Sequence, residues 1–163
     1  MKRILNSTVI TLVAFLLLGS LPVLAVDRPF ALNGKGVATF ITNEAGLPIR
    51  ADVTSSNTAT HLGLCTLVGV VNFTPANDPE HPGRLLSSGS ATITAADGDK
   101  VYIDFNGALD PAPGSTTAID RPNFRFVGGT GRFAGASGQA DAVVVVNLLT
   151  GAFELTMVGN IDY

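Results

Sequence analysis

The sequence predicts an all-β fold: a closed antiparallel barrel of about eight strands behind an N-terminal leader. Three observations lead there. Short segments alternate apolar and polar side chains with period two. Gly, Pro and Asp-Gly turns punctuate the whole chain. Nowhere do apolar residues recur at helical spacing over a convincing length. A two-faced sheet must bury its apolar side, and closing on itself does so while removing the edge strands. Eight strands give an interior that side chains can fill, or that can hold one small ligand. Periodicity does not separate a barrel from a sandwich, so the sandwich stays open at this level.

The leader is residues 1–25. Lys2 and Arg3 open it, an apolar run from Val9 to Leu18 follows, and Gly19, Ser20 and Pro22 precede Val23-Leu24-Ala25. A positive start, a short apolar middle and a small final residue are the parts of a secretory signal peptide. The run is shorter than the roughly 20 residues a bilayer span needs. The expectation is therefore export, secreted or periplasmic, with Val26 first in the mature chain and no membrane span within it. Residues 26–163 form a single barrel domain, 138 residues once 25 are taken from 163, enough for one real core.

The strands follow in order. Gly34 to Ile41 reads as the first and Ile49 to Ser55 as the second, across a turn at Asn43 to Pro48. Thr58 to Phe73 is a long β-favouring stretch, expected to bend at Gly63 or Gly69. Residues 75–84 carry three prolines and form a loop. Leu85 to Ala95 is a strand, and Asp97-Gly98 turns it tightly into Lys100 to Leu109. There Val101, Ile103 and Phe105 share one face; Tyr102, Asp104 and Asn106 share the other. Asp110 to Ser115 is a loop. Thr117 to Val127 sets Phe124 and Phe126 against Asn123 and Arg125. Ala140 to Leu149 is nearly all apolar, and its Val143 to Val146 run puts apolar groups on both faces. Thr150-Gly151 turns into Ala152 to Ile161, where Phe153, Leu155 and Met157 oppose Glu154 and Thr156.

Charge limits the partners. Without Lys2 and Arg3 the chain carries 8 basic and 13 acidic side chains, a net charge of −5. Its cations are scattered singly, whereas phosphate-binding surfaces cluster them, so no nucleic acid is expected, nor an anionic membrane surface. Cys65 is the single cysteine, so no intrachain disulfide forms; a small buried hydrophobe is its simplest role.

No catalytic or metal constellation emerges. His61 and Cys65 share a strand face but stand about 13 Å apart at the usual rise, too far for a Cys–His pair without a bend. His61 reads as a structural hydrogen-bonder near a barrel end, and His81 as a solvated loop residue. Two histidines and one cysteine give no zinc spacing, and Asn77-Asp78-Pro79-Glu80 lacks the alternating oxygens of a calcium loop. Cofactors and metals: none expected. Tyr102, Asp104, Arg125 and Glu154 lie opposite the large apolar residues and point outward if the interior is apolar. Only an inverted barrel would gather them inside.

The most distinctive stretch is Phe126 to Gly138, with Gly128-Gly129-Thr130-Gly131-Arg132-Phe133-Ala134-Gly135-Ala136-Ser137-Gly138. Its Gly129-x-Gly131-x-x-Ala134 is no dinucleotide fingerprint, because a β-branched run follows instead of a helix. It reads as a compact, helix-free corner between two strands, with Phe133 inward and at least one of Gly129, Gly131 and Gly135 at positive φ.

This segment resembles the one that joins late strands in the allene oxide cyclase and dirigent group of β-barrels. Thr60-His61-Leu62-Gly63 and Asp97-Gly98-Asp99 are similar to stretches in that group's exported bacterial members. The resemblance implies a calycin-like barrel with a central apolar cavity. Plant cyclases of the group isomerise a fatty-acid epoxide, dirigent proteins steer the coupling of phenoxy radicals, and the group includes trimers. No local motif places their polar residues on this chain. The resulting expectation is a small hydrophobic ligand in an apolar interior lined by Phe40, Ile103, Phe105, Phe124, Phe126 and Phe153. The alternatives are an isomerase or cyclase, a dirigent-like stereo-directing protein, or a non-catalytic structural homo-oligomer.

Overall fold

The computed structural model describes residues 27–112 and 114–163; the leader lies outside the described residues. Among the described residues are nine strands: β1 (Arg28–Thr42), β2 (Pro48–Ala59), β3 (Gly63–Pro75), β4 (Leu85–Ala95), β5 (Lys100–Pro111), β6 (Thr117–Asp120), β7 (Asn123–Gly129), β8 (Ser137–Asn147) and β9 (Ala152–Asp162). Each pairs antiparallel with its neighbours, β1 with β2 and β9, and β5 with β4 and with both β6 and β7. β6 and β7 both pair with β8. They are two halves of one barrel position, broken at Arg121-Pro122, where a proline cannot donate to the ladder. The sheet therefore closes as an eight-stranded antiparallel barrel, not a sandwich.

Alternation places the core as predicted. Phe30, Leu32, Ile93, Val101, Ile103, Phe126 and Met157 point inward and are buried, while Glu154 and Arg125 stay exposed. The barrel is not inverted: Lys35 and Glu154 pair on the outside, as do Arg125 and Asp104.

Three expectations need correction. Thr117 to Val127 is not one strand but two, β6 and β7, parted where Pro122 cannot donate to the ladder. Thr58 to Phe73 is not one bent strand. β2 ends at Ala59, Thr60-His61-Leu62 form a turn, and β3 starts at Gly63. His61 and Gly63 hold φ of 66° and 65°, so the chain reverses where extended backbone was expected. The glycine corner is not helix-free either: Gly131–Phe133 makes one 3-10 turn between β7 and β8.

That corner locks onto the Asp97-Gly98-Asp99 hairpin. Thr130 and Lys100 are joined twice: Thr130 N–H donates to the Lys100 carbonyl (2.9 Å), and Lys100 N–H donates to the Thr130 side-chain Oγ1 (3.0 Å). The Arg132 guanidinium lies 3.1 Å from Asp97 and 3.6 Å from Asp99. Gly131 sits at φ 56°, and a Cβ there would strike the Asp99 carboxylate. Phe133 is fully buried, a contribution of about 1.5–3 kcal/mol. Its ring meets Tyr163 at 4.6 Å, and Phe30 packs edge-on against Phe126 at 4.9 Å. These rings plug one end of the barrel.

Candidate functional site: the apolar cavity and its carboxyl group

The other half of the barrel is not filled. A cavity lies between the later half of β1, the earlier halves of β2 and β9, and the facing parts of β3, β4, β5, β7 and β8. Its walls are aromatic and aliphatic: Phe40, Phe73, Phe105, Phe124 and Phe153, with Val53, Val71, Val144 and Val146 between them. The Phe105 and Phe124 rings meet at a tilt with centroids 4.9 Å apart, and Phe40 and Phe73 at 6.1 Å. The space open to the centre of a water-sized sphere is about 80 Å³. One water needs roughly 10–15 Å³ on that measure, so the cavity has room for a group of several heavy atoms. Small inward residues, Ala38, Ala51 and Ala91, leave that room.

Four of the six expected residues, Phe40, Phe105, Phe124 and Phe153, come together on this wall. Ile103 and Phe126 do not. Both are buried deeper, in the packed half, and Phe126 is held by Phe30.

Among the described residues one ionisable side chain lines the cavity, Asp120, the last residue of β6. It is 7% exposed. Ser87 Oγ, inward from β4, donates to Asp120 Oδ1 at 2.9 Å. Gly107 on β5 makes the space: a Cβ there would lie 2.9 Å from Asp120 Oδ1 and 2.6 Å from Pro122 Cα. Burial pushes the Asp120 carboxyl above the ordinary aspartate range. The Ser87 hydrogen bond and the Arg121 backbone N–H pull the other way, and nearby Asp110 adds to the rise. The group therefore holds its proton to higher pH than an exposed aspartate and, when protonated, has an O–H available to an acceptor oxygen that enters the cavity.

Outside this carboxyl an ionic cluster ties the 76–84 loop to β5. Arg84 grips Asp110 with two bonds, Nε to Oδ1 at 2.6 Å and Nη2 to Oδ2 at 3.1 Å. Its Nη1 reaches Asp78 Oδ2 at 3.1 Å, and His81 Nδ1 lies 2.8 Å from the same oxygen. His81 is thus paired, not simply solvated. The Arg84 hydrogen bond holds Asp110 below the usual carboxylate range; His81 does the same for Asp78. Asp110 and Asp120 are ten residues apart on paired strands, yet their surroundings push their protonation in opposite directions.

The remaining candidates are structural. His61 Nε2 lies 3.0 Å from the Pro29 carbonyl, and its ring meets Tyr163 edge-on at 5.8 Å. Cys65 points inward, its thiol 3.7 Å from the Asn57 carbonyl. Burial raises its pKa, which keeps it a thiol and a poor nucleophile. Among the described residues no group of three or more His, Cys, Asp or Glu converges as metal ligands.

Asp120 and Ser87 were not anticipated, although the signal was in the alternation. Asp120 has the same parity as Phe124 and Phe126, and Ser87 the same as Leu85, Ala91 and Ile93. Reading parity backward through Pro122 puts the carboxylate on the phenylalanine face.

No protein-family model and no curated protein sequence matches the chain. Among solved structures, the barrel is similar to that of the pterocarpan synthase dirigent protein. The match covers 88% of this chain and 98% of that one, with a TM-score of 0.54 and 16% identity. The likeness establishes a dirigent-like barrel fold.

Proposed function

We propose that this chain is an exported barrel protein that binds a small hydrophobic molecule, its apolar end in the cavity and one oxygen on the Asp120 carboxyl. The observation that carries the reading is a single buried carboxyl in an otherwise apolar, ring-sized cavity. Pockets for small molecules have this composition, mostly apolar walls with a few polar groups that fix orientation. The walls favour an aromatic ring or a short acyl segment, and a phenol or carbonyl oxygen satisfies Asp120.

Calorimetric titration with 4-propylphenol and with propylbenzene tests it. The reading expects the phenol to bind more tightly than the hydrocarbon, with the difference largely lost in Asp120→Asn. Val144→Phe, which fills the cavity, should abolish binding of both while the protein still melts cooperatively. Binding undiminished in Val144→Phe sinks the proposal.

A second reading, an isomerase or cyclase of the allene oxide cyclase type, is favoured by the raised Asp120 pKa. A carboxyl that keeps its proton in an apolar site suits a general acid acting on an epoxide or quinone-like oxygen. It requires turnover that disappears in Asp120→Asn. A dirigent-like role would show as one enantiomer enriched in a phenoxy coupling driven by an external oxidant. A homo-oligomer is supported by exposed Val143 and Val145 side by side on the outer face of β8, a small apolar patch that a second copy would cover. Size measurement of the purified protein tests that.

A further inference from the structure

The two ends of the barrel differ in what they show to solvent. At the plugged end the turns carry charge: Asp97, Asp99 and Arg132 sit there, and Phe133 and Leu62 are buried. At the cavity end the hairpins carry exposed aliphatic side chains instead. The β1–β2 hairpin shows Ile41, Leu47 and Ile49, the start of β4 shows Leu86, and the β8–β9 turn shows Leu149, which is 81% exposed. Among the described residues the plugged end shows fewer, Leu64 and Val127.

The β1–β2 hairpin also outruns its neighbours. β9 follows β1 only as far as Val37, while β1 and β2 stay paired to Thr42 and Pro48. Phe40, on its inward row, continues the cavity wall beyond the point where β9 ends, and Ile49 bulges out of the ladder, unpaired and exposed. Beyond Phe40 the hairpin carries the exposed apolar side chains Ile41, Leu47 and Ile49 out to its tip.

We infer that the cavity end docks on a neutral lipid surface, so that the ligand passes between lipid and cavity without crossing water. The inference rests on the hydrophobic-ligand reading for its purpose, though not for its geometry. Separate aliphatic tips on neighbouring hairpin turns suit insertion into the headgroup boundary; they do not form the continuous flat face that a second copy would need. Charge selects the kind of lipid. Arg50 is paired with Asp52, and Arg84 with Asp78 and Asp110. Glu44 and Glu80, on the β1–β2 turn and the 76–84 loop, have no ion-pair partner among the described residues. Arg121, exposed beyond β6, has no ion-pair partner there either, but Glu44 and Glu80 outnumber it, and the acidic surplus disfavours an anionic surface and leaves a zwitterionic one.

Flotation of the exported protein with phosphatidylcholine vesicles tests this, its N-terminus checked by mass spectrometry so that no leader contributes. Bound fractions should be the same at low and high salt and should fall when anionic lipid is added. A Leu47→Asp, Leu149→Asp double variant, both positions exposed and tolerant, should reduce partitioning at least tenfold. Leu64→Asp, at the opposite end, should leave it unchanged. Failure of the wild type to float overturns the inference, as does an equal loss in Leu64→Asp or binding that needs anionic lipid. Titration of the double variant with 4-propylphenol separates the two proposals. Retained phenol binding with lost flotation supports both, and flotation without phenol binding leaves lipid docking standing while removing the ligand reading.

Discussion

Gly131 and Gly135 lie four residues apart in one corner, and the structure assigns them opposite responses to the same substitution. Gly131 holds φ 56°, where an L-residue costs about 1–2 kcal/mol. Its new Cβ would also meet the Asp99 carboxylate, which accepts the Arg132 N–H at 3.4 Å and lies 3.6 Å from the Arg132 guanidinium. Displacing that carboxylate forfeits about 1 kcal/mol of hydrogen bonding. Gly131→Ala should therefore destabilise by roughly 2–3 kcal/mol, and at ~3–5 °C per kcal/mol for a domain of this size the melting temperature falls by roughly 6–15 °C. Gly135 lies outside the left-handed region, and a Cβ there would meet nothing within 4 Å. Gly135→Ala restricts mainly the unfolded chain, so it should be neutral or stabilise by about 0.4–1 kcal/mol. Thermal melts followed by circular dichroism read both. Equal losses, or no loss in Gly131→Ala, would refute the assignment of this corner as a backbone lock.

The other predictions concern the interior. Asp120 has a raised folded pKa, so the folded state holds this proton more tightly than the unfolded state. Its contribution is complete below the unfolded value of about 3.9 and is lost as pH rises through the folded value. Asp120→Asn should therefore melt higher than wild type at neutral pH, with the gap closing on acidification below about pH 4; a gap independent of pH contradicts the assignment. Gly107→Ala forces the new Cβ against Pro122 and Asp120 and should cost about 1–3 kcal/mol as overpacking, read in a urea melt. Cys65, buried with its pKa raised, should resist a thiol-reactive disulfide reagent at neutral pH until the protein is unfolded. Rapid labelling of the native protein would show that the barrel opens locally there.

Much of the barrel is legible in the sequence because strand parity is a local property. Val101, Ile103 and Phe105 alternate with polar neighbours, and burying the apolar set fixes which way every residue of β5 points. Reversals are harder to read when the turn residues are atypical. Thr60-His61-Leu62 reverses the chain with a histidine at positive φ, a conformation that sequence assigns first to Gly or Asn. The short 3-10 turn was hidden for a related reason. Its three residues form one turn around buried Phe133, too little for any periodicity to register.

The cavity is a harder inference, because it depends on volumes added across the barrel. Phe40, Phe105, Phe124, Phe153, Ile103 and Phe126 all face inward by parity, yet the first four border a space and the last two lie in the packed half. The difference comes from the cross-strand rows. On the cavity wall, inward β1 and β2 contribute Ala38 opposite the Val53 position and Phe40 opposite Ala51, so small residues face the rings and the centre stays open. At the plugged end the inward positions are Phe30, Leu32, Met157 and Ile161, and Phe133 enters from the corner to close what remains. Asp120 is tolerable only because of this contrast. In the packed half a carboxyl would lose its water with nothing in return, a cost of several kcal/mol. Beside an open cavity it keeps one oxygen on Ser87 and presents the group to whatever enters. A buried carboxyl at that position raises folding cost at neutral pH, as its shifted pKa implies, and the proposed ligand oxygen would offset that cost. The stability gain expected for Asp120→Asn and the loss of selectivity for a phenol over its hydrocarbon are thus two measurements of one arrangement. Observing the first without the second would leave the carboxyl with a structural role alone.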